Sequence, residues 1–209
     1  MSKEQEIFRM ILDSLKDTSS VQEVPVGVSN RHIHLGQQEL DKLFGSGYEL
    51  TKLKDLSQPG QYACKETVMI CGPKGVIEKV RILGPVRSKT QVEILNGDAF
   101  KLGVKPVVRL SGQLDGTPGI TIVGPKGSVE IAQGVIVAQR HIHMLPEDAA
   151  AYGVCDGQVV SLEFDGIRGG ILHNVTIRVT DTSALECHID FEEANALGIT
   201  TNTKMKLIK

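Results

Sequence analysis

Tryptophan is absent from this chain, and aromatic residues of all kinds make up only 4% of it. A core with so few large rings must be built from aliphatic side chains. Valine and isoleucine recur throughout and glycine occurs 22 times, a mix that favours a β-rich fold with many tight turns. Long apolar runs are also missing. None approaches the roughly 18 residues that a membrane-spanning helix requires. The first residues lack the basic segment and apolar stretch of a signal peptide. No strong charge imbalance exists either: the formal net charge is −2, which argues against a general binder of nucleic acid or anionic membranes. Local basic clusters could still hold a small anion. The cysteines, Cys64, Cys71, Cys155 and Cys187, form no C-x-x-C pair and no zinc-ribbon spacing. Free thiols in a reducing, cytoplasmic interior are expected. At 209 residues the chain is long enough to bury a real core.

What the chain does have is a repeated motif. Arg31-His32-Ile33-His34 recurs as Arg140-His141-Ile142-His143, about half a chain length away. The flanks match as well: residues 26–35 resemble residues 135–144, each reading as a strand that runs into a histidine pair. Short helices are expected at 37–44 and 146–152 after the pairs, and at 191–197 near the end. Short β runs fill the rest, separated by turns such as Gly72-Pro73-Lys74-Gly75, Gly84-Pro85 and Asn96-Gly97-Asp98. The expected fold is mainly β with short α-helices: two duplicated small β-barrel domains plus an N-terminal amphipathic helix. The divisions are residues 1–20 for the helix and linker, 21–105 for the first barrel and 106–209 for the second. Gly-Pro-Lys-Gly also recurs at 124–127, out of step with the histidine repeat, so the halves are allowed to exchange strands.

In an extended segment, residues two apart point to the same side. His32 and His34 therefore project together, as do His141 and His143. Two such imidazoles are half of a tetrahedral zinc site. A single His-x-His is weak, but four of the six histidines are used in these two pairs. Imidazole-rich ligands favour zinc or another divalent transition metal over magnesium or calcium. Each pair needs at least one further ligand, and His173, His188, Glu93, Cys64, Cys71 and Cys187 are the candidates. A basic cluster of Lys74, Lys79, Arg81, Arg87 and Lys89 lies before Glu93. Arg87, in the turn 84–90, is suited to gripping a phosphate bidentately. The residues by themselves thus point to a metal site and a phosphate site on a duplicated β scaffold.

The stretches Ser29-Asn30-Arg31-His32-Ile33-His34-Leu35, Gly84-Pro85-Val86-Arg87, Gln139-Arg140-His141-Ile142-His143 and Cys187-His188-Ile189-Asp190 together resemble the PduL-type phosphate acyltransferases. These are the phosphotransacylases also called phosphate propanoyltransferases, associated with bacterial microcompartments. The resemblance runs from about Val24 to the C-terminus. It implies two β-barrel domains and transfer of an acyl group between coenzyme A and inorganic phosphate, with two zinc ions as cofactors. Carried over, His32, His34 and Glu93 hold one metal, and His141, His143 and His188 the other. Arg87 binds phosphate and is the catalytic residue, with Asn195 on the last helix a second phosphate-binding candidate. Lys74 and Arg81 meet the phosphates of coenzyme A, and Val28, Ser29 and Asn30 lie along its pantetheine arm. In compartment-associated members an amphipathic N-terminal segment addresses the enzyme to the lumen. Residues 1–20 are therefore read either as such a handle for shell or lumen proteins or as a helix docked on its own domain. Direct attack of phosphate on propionyl- or acetyl-coenzyme A is the expected reaction, running reversibly. A dinuclear zinc hydrolase and a structural metal-binding module are the alternatives. Nucleic acid and membranes are not expected partners; a homo-oligomer is left open.

Overall fold

A computed structural model describes Gln5, residues 22–201 and residues 203–209. Apart from Gln5, the expected N-terminal helix lies outside the described residues. The rest is mainly β, with one closed six-stranded barrel, one nine-stranded sheet curled into a half-barrel, and short helices between strands. No helix among the described residues is long and apolar enough to cross a membrane.

The strands in chain order are β1 (Glu23–Ser29), β2 (His32–His34), β3 (Lys52–Asp55), β4 (Tyr62–Cys71), β5 (Val76–Gly84), β6 (Gln91–Glu93), β7 (Val108–Arg109), β8 (Ile120–Val123), β9 (Ser128–Ile131), β10 (Val135–Ala138), β11 (His141–Met144), β12 (Val159–Phe164), β13 (Gly170–Val179), β14 (Glu186–Asp190) and β15 (Lys204–Ile208). The helices are α1 (Gln37–Phe44), α2 (Asn96–Leu102), α3 (Pro146–Tyr152) and α4 (Phe191–Leu197). The barrel closes in the order β1-β14-β11-β13-β12-β15. The half-barrel runs β7-β10-β6-β2-β5-β4-β8-β9, with β3 on β4.

These sheets cut across a division at residue 105. Strand β1 precedes β2 in sequence but lies in the barrel, while β7 to β10 lie in the half-barrel. Each histidine pair therefore starts just after the chain passes from one sheet to the other. The crossings are at Asn30-Arg31 and Gln139-Arg140. Within each sheet the same pairing series recurs. β10 is parallel to β6, β6 antiparallel to β2, β2 parallel to β5, and β5 antiparallel to β4. In the barrel, β1, β14, β11, β13 and β12 repeat that series of directions. The duplication is thus a property of the topology as well as of the motif.

Period-two alternation explains why the histidines face one way. Ile33 and Ile142, between the paired histidines, are fully buried in the two aliphatic cores. Burying them turns His32 and His34, and likewise His141 and His143, to the opposite side.

One reading of a turn needs correction. Asn96-Gly97-Asp98 is the first turn of α2, not a turn between β runs. The Asp98 carboxylate accepts from the Leu95 backbone N–H at 3.0 Å, and Gly103 ends the helix in the left-handed conformation. The Gly-Pro-Lys-Gly segments are hairpin turns that dock on helix ends. Lys74 N–H donates to the Leu102 carbonyl at 3.0 Å, and Lys126 N–H to the Leu43 carbonyl, also at 3.0 Å. Those carbonyls lack partners inside their helices. The first glycine of each turn permits the approach: a Cβ on Gly72 would sit 2.2 Å from Leu102 O.

Candidate active site

The two histidine strands meet a third polar residue at the same place. His32 pairs with Glu93 across β2 and β6. His141 pairs with His188 across β11 and β14. Directly opposed residues in an antiparallel pair have neighbouring Cβ atoms. The outcome is two triads, His32–His34–Glu93 and His141–His143–His188, whose donor atoms lie within 4.8 Å of one another in each group.

The arginine that opens each motif does not enter the triad. Arg31 forms a fork with Asp98, Nε–Oδ2 2.7 Å and Nη2–Oδ1 2.9 Å. Arg140 pairs with Glu193 and donates to the His173 carbonyl. Asp98 and Glu193 are the third residues of α2 and α4, the helices that directly follow the strands bearing Glu93 and His188. Each arginine thus ties the crossing segment to the helix behind its partner strand.

Several features suit these triads to metal. The ring Nδ1 of His32 lies 2.8 Å from the Asn30 carbonyl, and that of His141 lies 2.8 Å from the Gln139 carbonyl. A carbonyl only accepts, so each Nδ1 carries the proton and each Nε2 is left for a cation. Nε2 of His141 is 3.1 Å from Nε2 of His143, two nitrogens converging on one point. Nε2 of His32 is 3.4 Å from Oε2 of Glu93. Among the described residues, the buried Nδ1 of His34 has no hydrogen-bond partner. Burial, followed by the nearby cationic groups His32 and Arg87, pushes His34 down to about 3. Burial and His188 push His141 down to about 4, and burial with His141 and His188 pushes His143 down to about 3. These three imidazoles are neutral at pH 7, as ligation requires. Burial would raise the Glu93 carboxyl, but His32, His34 and His141 outweigh it and hold Glu93 well below its usual range.

The sign of the pH dependence follows. Unfolded histidines titrate near about 6.5. Below that value the unfolded chain takes up protons at His34, His141 and His143 that the folded chain refuses. Their contribution to stability is present above the unfolded pKa and is lost as pH falls. His32 is opposite in sign: burial lowers it, Glu93 more than restores it, and its raised pKa favours the folded state at low pH. Three groups against one leave a net loss on acidification. The metal-free protein is expected to melt several degrees lower at pH 5 than at pH 7.5. A melting temperature that rises on acidification would contradict this balance.

Both triads line one cavity of about 680 Å³. Arg87 and Arg178 line it too. Among the described residues Arg87 makes one side-chain hydrogen bond, Nη1 to Ser111 Oγ at 3.2 Å. Arg178, opposite His143 in the β11–β13 register, has no side-chain ion pair or hydrogen bond among the described residues. Glu93 attracts the Arg87 guanidinium and Arg178 repels it. Two guanidinium groups that face one cavity without an ion pair among the described residues make an anion site.

Among the expected contacts, Val28, Ser29, Asn30 and Arg81 also line the cavity. Arg81 spends Nη1 on the Cys64 and Lys65 carbonyls, at 2.9 and 2.7 Å. Lys74 lies outside it, on the turn that docks against α2, and Asn195 is exposed on α4 away from the lining. Sequence reasoning missed Lys54 at the rim, Arg178, Glu186, and the supporting Ser57, Gln58 and Ser111. Only Glu186 carried a local signal, since it stands two residues before His188 on the same strand.

A family model for phosphate propanoyltransferases matches residues 25–200. The phosphate propanoyltransferase of Rhodobacter capsulatus is 56% identical over 186 residues, covering 89% of this chain and 86% of the relative. That of Thermotoga maritima is 56% identical over 185 residues, 88% of each chain. That of Clostridioides difficile is 48% identical over 204 residues, 98% of this chain and 96% of the relative. Nearly the whole chain, both triads included, falls inside these matches, and the chain belongs to the phosphate propanoyltransferase family of acyl-transferring enzymes.

Proposed function

We propose that this cavity transfers a propionyl or acetyl group between the sulfur of coenzyme A and inorganic phosphate, by direct attack of a phosphate oxygen on the thioester carbonyl. The observation that carries this reading is the pair of arginines without an ion pair among the described residues, Arg87 and Arg178, facing two triads in a single cavity. The guanidinium groups hold phosphate and aim one oxygen at the carbonyl carbon, which makes the step effectively unimolecular. The P–O–C bond forms, the carbonyl oxygen takes up charge, and the C–S bond breaks with the electron pair leaving on sulfur. The six triad residues suit divalent ions, zinc above all, which when bound would supply positive charge beside phosphate and the developing oxyanion. Backbone at Val28, Ser29 and Asn30 borders the space for the pantetheine arm, with Arg81 and Lys54 placed for anionic groups further out.

Direct transfer is favoured because no side chain in the cavity is set up as an acyl carrier. None of the cysteines lines it. Burial pushes the Cys64 thiol up to about 11 and raises Cys187 further. The Ser57 hydroxyl donates to the Glu186 carboxylate, whose same oxygen also contacts His188, and Ser29 donates to the Ile189 carbonyl at 3.3 Å. A carbonyl cannot serve Ser29 as a base, and the carboxylate beside Ser57 is already engaged by an imidazole.

The test is thiol release from propionyl- and acetyl-coenzyme A with and without phosphate. Release is expected only with phosphate, with acyl phosphate formed in equal amount. Thiol release that ignores phosphate would favour the hydrolase built from the same ligands.

A further inference from the structure

The two triads differ in their third residue, a carboxylate at Glu93 and an imidazole at His188. The strands that carry them compensate for the difference. Opposite His34 on β6 stands Gln91, and opposite His143 on β14 stands Glu186. These two residues occupy the same position in the duplicated scaffold, two residues before the third triad member. Each hydrogen-bonds to that member. Gln91 Nε2 donates to Glu93 Oε1 at 2.6 Å, and His188 Nε2 lies 2.7 Å from Glu186 Oε2. Each is in turn fixed by a serine from a crossing loop. Gln91 Nε2 also donates to Ser111 Oγ at 2.8 Å, and its Oε1 accepts from Gly112 N–H at 2.7 Å. Glu186 accepts from Ser57, while the adjacent Gln58 clamps the backbone of Ala184 through both its amide atoms, at 3.0 and 3.2 Å.

We infer that Gln91 and Glu186 are equivalent positioning residues, each holding one polar atom of the third triad member so that its other atom faces the cavity, and that Glu186 supplies the second triad with the carboxylate it otherwise lacks. In the first triad the carboxylate is a member and the support is a neutral amide. In the second the member is an imidazole and the support is a carboxylate. Each group therefore contains one carboxylate to set against a divalent ion. A carboxylate behind a ligating imidazole fixes its tautomer and raises its basicity. The space for Glu186 is kept by Gly27 on β1, where a Cβ would lie 2.7 Å from the Glu186 carboxyl carbon.

The inference rests on the reading of the triads as metal sites, and the experiment separates the two. Full-length wild type, Glu186→Gln and Glu186→Ala are stripped of metal, checked for folding by circular dichroism, and titrated with Zn²⁺ against a chromophoric chelator. Co²⁺ absorption is recorded in parallel. Wild type is expected to bind two ions per chain. Glu186→Gln keeps shape and hydrogen bonding but loses the charge, and it should weaken one of the two ions by about 10- to 100-fold and shift its Co²⁺ bands. Glu186→Ala should weaken the same ion at least as much. Two ions held as tightly in Glu186→Gln as in wild type would overturn the role of Glu186 while leaving the metal sites intact. A wild type that takes up no second ion would overturn both.

Discussion

Replacing Arg87 with alanine is expected to lower kcat/KM for phosphate by about 100- to 1,000-fold, the range seen when a preorganised donor to developing charge is removed. Its backbone is pinned beside the first triad: Arg87 N–H donates to the Leu35 carbonyl at 2.9 Å, and Gly36 and Arg87 form a bridge. Only one weak contact, to Ser111, occupies its side chain. Burial lowers its pKa, and Glu93 partly offsets that; a guanidinium remains charged at any working pH. The group is therefore placed, charged and without a carboxylate partner among the described residues. Lysine at this position should recover little, because an ammonium cannot offer two parallel donors to one phosphate. KM for acyl-coenzyme A should change little. Initial rates over a matrix of both substrates would read the split, and an unchanged dependence on phosphate would remove Arg87 from the site.

The histidine pairs were legible because their signal is local: two residues on one strand, spaced by the pleat. The helices at 37–44, 146–152 and 191–197 were legible for the same reason, since caps and apolar spacing are local properties. Glu93 was not decided by its own context, because a carboxylate in an apolar strand reads equally well as inert. It became a triad member only through the β2–β6 register, which resemblance to a family could supply and local pattern could not. Arg178 reaches the cavity through the pairing of β11 with β13, strands separated in the chain by a helix and by β12, and no short segment encodes that placement. Within the basic cluster before Glu93, Arg81 and Arg87 line the cavity, while Lys74 stands outside it on a turn whose glycine and N–H serve a helix end. The crossing of β1 and β10 between sheets was legible only as a repeat that did not run cleanly in tandem.

If the second triad holds a metal ion as proposed, alanine in place of His141 should reduce turnover by more than about 1,000-fold, because losing a cation that stabilises developing charge forfeits several kcal/mol at about 1.4 kcal/mol per factor of ten. An electrostatic interaction links His141 of the second triad with Glu93 of the first. It stands opposite His188 and points Nε2 at His143. His32 holds the matching place in the first triad, opposite Glu93. If the triads serve one reacting centre, losing either should disable the same step. The double variant His32→Ala/His141→Ala should then be little worse than either single variant, the strong non-additivity of residues that act as a unit. Independent sites would instead multiply the two losses. Measuring metal content and kcat/KM for both single variants and the double variant distinguishes these cases. A His141→Ala protein that lost one ion yet kept a tenth or more of its turnover would show that the second triad shapes the fold and not the reaction.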